Sequence, residues 1–131
     1  MIFADSSFLI AGSIEGDRNH AAAVQLYEKV AGHRIVITNH VRGETWTWLR
    51  SRTWHQRAVE FLDGIEHVGH VQVAQVPEQL ENEALHWLRQ HDERKYSFVD
   101  ATSFAYMRAK GITEALAFDG DFAAAGFTEL R

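Results

Sequence analysis

The sequence predicts an α/β fold with a mostly parallel central sheet flanked by helices. Two observations carry that expectation. Short apolar runs recur along the chain, among them residues 2–4, 35–37 and 115–118, each of a length suited to a buried strand. Between them lie longer segments whose apolar residues repeat at helical spacing, so strands and helices alternate. With 131 residues the chain fits one domain, 1–131, and is long enough to bury a real core.

Residues 2–5 read as the first strand, with Ser6 and Ser7 as candidate caps ahead of Phe8-Leu9-Ile10-Ala11. Residues 15–19 read as a loop. A helix follows over 20–31, with Asn19 as its cap, Gly32 as its stop, and Ala23, Val24, Tyr27 and Val30 at helical spacing. Residues 34–37 make the second strand. Thr38 then caps a helix whose inward face holds Val41, Glu44, Thr45, Trp48 and Leu49, which places Trp48 in the core. The next helix spans 54–62, until Asp63-Gly64 breaks it. Alternation over 67–76, through Val71, Val73 and Val76, gives the third strand. Pro77 suits the first turn of a helix over 78–90, amphipathic through Leu80, Ala84, Leu85 and Leu88. Ser97 caps a helix over 98–110 that Gly111 ends. Residues 112–118 give the fourth strand, 122–125 a short helix and 127–130 a last edge strand.

Composition excludes several classes. The chain has no cysteine, which removes disulfides, thiolate metal sites and a cysteine nucleophile. No apolar stretch approaches the roughly 20 residues of a membrane span, and the first residues lack a basic, cleavable leader pattern. A cytoplasmic protein is the expectation. The formal net charge of −5 speaks weakly against nucleic acid, yet charge is uneven. Residues 34–57 hold Arg34, Arg42, Arg50, Arg52 and Arg57 against Glu44, whereas 78–93 hold five acids against Arg89. A basic face beside an acidic pocket and two solvated helix faces of opposite sign fit this equally well.

Four acids stand where carboxylates have no ordinary reason to be. Asp5 and Asp119 end apolar runs, Glu44 lies on an inward helical stripe, and Asp100 opens a helix within an apolar stretch. Each has a local explanation. Asp5 suits a helix cap, Asp119-Gly120 a turn, and Ser97-Phe98-Val99-Asp100 a capping box; Glu44 would be exposed if its helix were rotated. Joint placement explains all four at once, because ligands of parallel α/β sheets bind beyond the carboxyl ends of the strands. Asp100 reaches that edge only if its helix enters N-terminus first. Carboxylates gathered there repel one another unless protons or cations neutralise them, and hard divalent cations prefer oxygen. Mg²⁺ or Mn²⁺ held in this way activates water and polarises a phosphodiester without any side-chain nucleophile. Signatures of a G-x-S-x-G elbow, a P-loop and a dinucleotide site are absent. No second carboxylate follows Asp5 within the next two residues, and no lysine follows Lys110, which argues against haloacid-dehalogenase and receiver-type chemistry.

The same segments resemble the PIN-domain family. Ile2-Phe3-Ala4-Asp5-Ser6-Ser7 is similar to its opening motif, and Thr38-Asn39-His40-Val41-Arg42-Gly43-Glu44 to its second acidic motif. Tyr96-Ser97-Phe98-Val99-Asp100-Ala101 resembles the third, and Ala117-Phe118-Asp119-Gly120-Asp121-Phe122 the fourth. The compact length is most similar to VapC-type toxins of toxin–antitoxin pairs. The resemblance implies a three-layer Rossmann-like fold and a Mg²⁺- or Mn²⁺-dependent endoribonuclease, acting on tRNA or another structured RNA. It implies a homodimer and a cognate antitoxin that blocks the site. It carries catalytic, metal-binding roles onto Asp5, Glu44, Asp100 and Asp119, with Asp121 as a candidate fifth ligand and Ser7 as a supporting residue. Ser6 replaces the family's common threonine. The alternative is a non-catalytic PIN-like binding module, against which the presence of all four acids argues.

Among the remaining residues, His67 and His70 lack a partner motif for zinc and are expected to be solvated or locally bonded. Trp46 and Trp54 suit either core packing or an exposed anchor for a dimer mate or antitoxin helix. Arg42 and Arg50 suit either phosphate contacts near Glu44 or plain surface positions.

Overall fold

The computed structural model covers residues 1–131. Its elements follow as β1 (Ile2–Ala4), α1 (Ser6–Ser13), α2 (His20–Lys29), β2 (Ile35–Thr38), α3 (Asn39–Arg52), α4 (His55–His67), β3 (Val71–Ala74), α5 (Glu78–Gln90), α6 (Phe98–Lys110), β4 (Glu114–Leu116), α7 (Asp121–Ala124) and β5 (Thr128–Glu129). Five strands pair in the order β3-β2-β1-β4-β5, all parallel. Every residue of β1 and β2 is buried, as strands covered on both faces must be.

The chain builds outward from β1 to β3, then returns to the other side of β1 for β4 and β5. With right-handed crossovers, that reversal sends the helices before and after it to opposite faces. Accordingly α1 packs with α2 and α3, and α3 with α4, while α5 packs with α6 and α6 with α7. The gap between the carboxyl ends of β1 and β4 is the topological switch point, where such sheets open a crevice. It is held closed at the backbone, since Phe3 pairs with Ala115 and Ala4 with Leu116, and the Asp5 N–H donates to the Leu116 carbonyl at 3.0 Å.

Under the crevice lies an aromatic core. Phe104 and Phe122 meet edge to face with ring centres 4.9 Å apart, and Phe122 also touches Phe3 at 5.9 Å. Phe3, Phe104 and Phe122 are fully buried. Such edge-to-face pairs add about 0.5–1.5 kcal/mol beyond their burial, and here they anchor α7 and with it the loop from Asp119 to Asp121.

Several local expectations shift. Gly64 does not break α4, which runs on to His67; Ile65 packs against the core and repays the roughly 1 kcal/mol a helical glycine costs. The third strand shortens to Val71–Ala74 because only those residues pair with β2. On α2, Ala23 and Leu26 are buried, as is Val30 at its C-cap, whereas Val24 and Tyr27 stay exposed. Leu85 is likewise exposed on α5. Trp48 is half-buried: one part packs on the small cluster of Leu49, Ala58 and Phe61, and the rest faces a cleft, so it is not fully in the core. The short helix begins one residue early, at Asp121. Trp54 is 58% exposed, and Trp46 packs beside the small cluster of Leu49, Ala58 and Phe61. His67 bonds to the Asp63 carbonyl and His70 to the Tyr27 hydroxyl. No helix is long and apolar enough to cross a membrane.

Candidate active site

Asp5 is the first residue after β1 and caps α1. Its Oδ2 accepts the Ser7 N–H at 3.2 Å and the Ser7 hydroxyl at 2.7 Å. The Ser7 hydroxyl also receives the Phe118 N–H at 3.1 Å, so one side chain ties the exit of β1 to the exit of β4. Asp5 is 1% exposed, and its Oδ1 has no hydrogen-bond partner. Burial, reinforced by the charge of Asp119, pushes its carboxyl up to about 8.

Asp100 enters from the opposite layer. Ser97 Oγ accepts the Asp100 N–H at 2.9 Å while Asp100 Oδ2 accepts the Ser97 N–H at 3.0 Å, a complete capping box. Capping does not take Asp100 away from the other acids: the same carboxylate closes the box and lies near Asp119 and Asp121. Burial raises this carboxyl to about 6, against the lowering effect of the Ser97 N–H.

Asp119 and Asp121 lie on the turn after β4. Gly120 between them has φ +81°, a conformation that a side chain disfavours, and a Cβ there would meet Arg94 Nη2 at 3.4 Å. The Asp121 N–H donates to Asp119 Oδ1 at 3.2 Å. Burial raises the Asp119 carboxyl, the Asp121 N–H opposes the shift, and the charges of Asp121 and Glu129 add to it. One carboxylate oxygen from each of Asp100, Asp119 and Asp121 falls within 4.8 Å of the others. Asp5 adjoins this triad closely enough to feel the charges of Asp119 and Asp100.

Glu44 is placed differently. It is half-buried on α3, accepts a hydrogen bond from the Ser6 hydroxyl, and lines a cleft with Val99, the residue before Asp100. Glu44 thus stands at the margin of the acid centre, outside the triad, joined to it through the residue that follows Asp5.

The donors are all oxygens, one of them a buried oxygen without a partner. That set fits a hard divalent cation of the Mg²⁺ or Mn²⁺ kind, and Asp5, Asp100, Asp119, Asp121 and Glu44 are the residues available to hold it.

A family model described as PIN domain matches residues 2–128. The chain belongs to the PIN-domain family. Within it, proteins from two strains of Mycobacterium tuberculosis, both named 23S rRNA-specific endonuclease VapC20, are 52% identical over 132 residues, covering 100% of this chain and 98% of theirs. A crystal structure of Mycobacterium tuberculosis VapC20, described as a Sarcin-Ricin loop cleaving toxin, matches with a TM-score of 0.94 at 49% identity. That match covers 100% of this chain and 99% of that one.

One contributor to this PIN-domain site escaped the sequence reading. Arg94, in the α5–α6 connection, donates from Nε to Asp121 Oδ1 at 2.8 Å and from Nη2 to the Asp119 carbonyl at 3.1 Å. It is the one cation paired with the triad. Nothing local marks it, since Asp92-Glu93-Arg94-Lys95 reads as an ordinary charged loop. Its only sequence signal is that it stands three residues before the Ser97 cap.

Proposed function

We propose that this PIN domain is a Mg²⁺- or Mn²⁺-dependent endoribonuclease toxin that cuts 23S rRNA in its sarcin-ricin loop, with Asp5, Asp100, Asp119 and Asp121 around the metal and Glu44 joining them from the margin. The observation that carries the reading is the meeting of Asp100, Asp119 and Asp121 within 4.8 Å, next to the unpartnered buried oxygen of Asp5, at the switch point of the sheet. A full-length match at 52% identity to proteins named as endonucleases supports an enzyme over a non-catalytic module. Their names also narrow the structured RNA expected from the sequence to 23S rRNA.

A bound divalent ion supplies Lewis-acid polarisation of the phosphodiester and a water acidified for attack. The chain's own residues prepare for it. Ser7 fixes the Asp5 carboxylate and the β4 exit together. The capping box aims Asp100 into the crevice. Arg94 holds the Asp119–Asp121 turn against the repulsion of its carboxylates. Asp5 and Asp100 keep their protons to higher pH than free carboxyls do, so loading of the site releases protons.

As a VapC-type toxin the protein pairs with a cognate antitoxin, forms a homodimer and acts in the cytoplasm. The direct test is incubation of purified protein with ribosomes and Mg²⁺ or Mn²⁺, followed by primer extension along 23S rRNA. A single cut in the sarcin-ricin loop is expected, absent with EDTA and absent in Asp100→Asn. Intact 23S rRNA, or a cut by Asp100→Asn, overturns the reading.

A further inference from the structure

Beside the acid centre a cleft of about 370 Å³ opens between α1, α3 and the exit of β4. Asp119 stands in its wall, so whatever fills the cleft lies against one of the clustered acids. Its apolar sides come from Trp48, Phe118 and Ile10. Its polar rim comes from Asp17, Arg18 and Asn19, on the connection between α1 and α2, with Ser6 and Ser7 toward Asp119. That connection is fixed: Asp17 Oδ1 accepts the Asn19 N–H at 2.8 Å, and the His20 ring bonds to the Ala11 carbonyl at 2.8 Å. The functional groups of Arg18 and Asn19 are free. Asn19 makes no side-chain capping bond to its helix, and Arg18 is exposed and enters none of the molecule's ion pairs.

Trp48 is the informative residue. It sits four residues past Glu44 and four before Arg52, so α3 presents a carboxylate, an aromatic plane and a cation in line, each step about 6 Å along the axis. The Arg52 guanidinium lies over the indole ring, 5.4 Å from its centre, and lines the adjoining cleft with Glu44 rather than this one, so a base held here meets the indole from the side away from Arg52. A half-buried indole beside a metal-fitting acid centre, with a cation next to it, is the arrangement by which proteins hold a splayed-out base and its phosphate.

We propose that this cleft binds one unpaired purine of the RNA substrate, stacked on Trp48 and read along its edge by Arg18 and Asn19. The inference rests on the ribonuclease reading above. A purine is favoured because its two rings cover more of the indole, and its Hoogsteen edge offers O6/N7 of guanine to a guanidinium fork or N6/N7 of adenine to a carboxamide. The pocket sets which nucleotide lies next to the cut, while the acid centre performs the cut.

The test uses the full chain carrying Asp100→Asn, so that RNA is bound and not cleaved. A sarcin-ricin hairpin carries 2-aminopurine in turn at each purine flanking the mapped cut. At one position, fluorescence is quenched on binding. Trp48→Phe keeps the quench. Trp48→Leu, assayed well below its own melting temperature because the indole also packs on Leu49, Ala58 and Phe61, loses it and binds about tenfold more weakly. An abasic nucleotide at that position removes the difference in affinity between the Trp48→Leu protein and its parent. Equal quench and affinity in Trp48→Leu, or no sensitive position in an RNA that the unsubstituted chain cleaves normally, overturns the pocket and leaves the nuclease reading intact. Absence of any binding or cleavage by the unsubstituted chain overturns both.

Discussion

The Ser7 hydroxyl stands between Asp5 and Phe118, donating to Asp5 Oδ2 at 2.7 Å and accepting the Phe118 N–H at 3.1 Å. It ties the two strand ends that flank the switch point and holds in place a carboxylate that is almost wholly buried. Ser7→Ala leaves both partners short of a bond, one of them ionisable. It should lower unfolding free energy by about 1–3 kcal/mol, seen as a drop in the urea midpoint. Ser7→Thr keeps the hydroxyl and should recover most of it.

The raised carboxyls give metal-free stability a definite slope with pH. Asp5 moves from 3.8 to about 8 and Asp100 from 3.8 to about 6 on folding. Between those limits these two groups bind more protons in the native chain than in the unfolded one, so the stability they contribute is full below about pH 4 and is lost as pH rises toward 8. Urea titrations in EDTA should show this decline. Asp5→Asn removes most of it, because an amide has no charge to bury.

Metal binding reverses the slope. A dication displaces the protons of Asp5 and Asp100, so its affinity should rise from acid pH up to about 8. Calorimetric titrations with Mn²⁺ in buffers of different ionisation enthalpy would report the released protons directly; zero release at neutral pH would contradict the assignment of Asp5 as a ligand.

Arg94 supplies positive charge at one edge of the triad and occupies an Asp121 oxygen. Arg94→Gln withdraws that charge and frees the oxygen. Mn²⁺ should then bind more tightly, while the metal-free melting temperature falls as the acids lose their counter-ion. Unchanged affinity would mark Arg94 as a surface ion pair without influence on the site.

Much of this was legible in the chain because the signals were local. Thr38 and Ser97 cap α3 and α6 as their spacing with Val41 and Asp100 implies. Asp5 and Asp119 follow apolar runs, and the strand-end rule of parallel sheets then places them together. Asp100 was not placed by chain order; the reversal from β3 to β4 decides it, and reversal is a tertiary event with no sequence mark. The side of α2 was misjudged because Val24 and Tyr27 have the same spacing as the buried Ala23 and Leu26. Trp48 fell on the inward stripe by period, yet α3 sits beside a cleft rather than over a continuous core. Arg94 was invisible since its partners, Asp119 and Asp121, lie more than twenty residues away in sequence.

The most direct test titrates Mn²⁺ into EDTA-stripped protein and assays the same samples for 23S rRNA cleavage, with Asp100→Asn alongside. Saturable Mn²⁺ binding that restores cleavage in the unsubstituted chain, with both lost in Asp100→Asn, is the predicted result. Full cleavage in excess EDTA, or undiminished Mn²⁺ binding after Asp100→Asn, contradicts a metal centre built from these carboxylates.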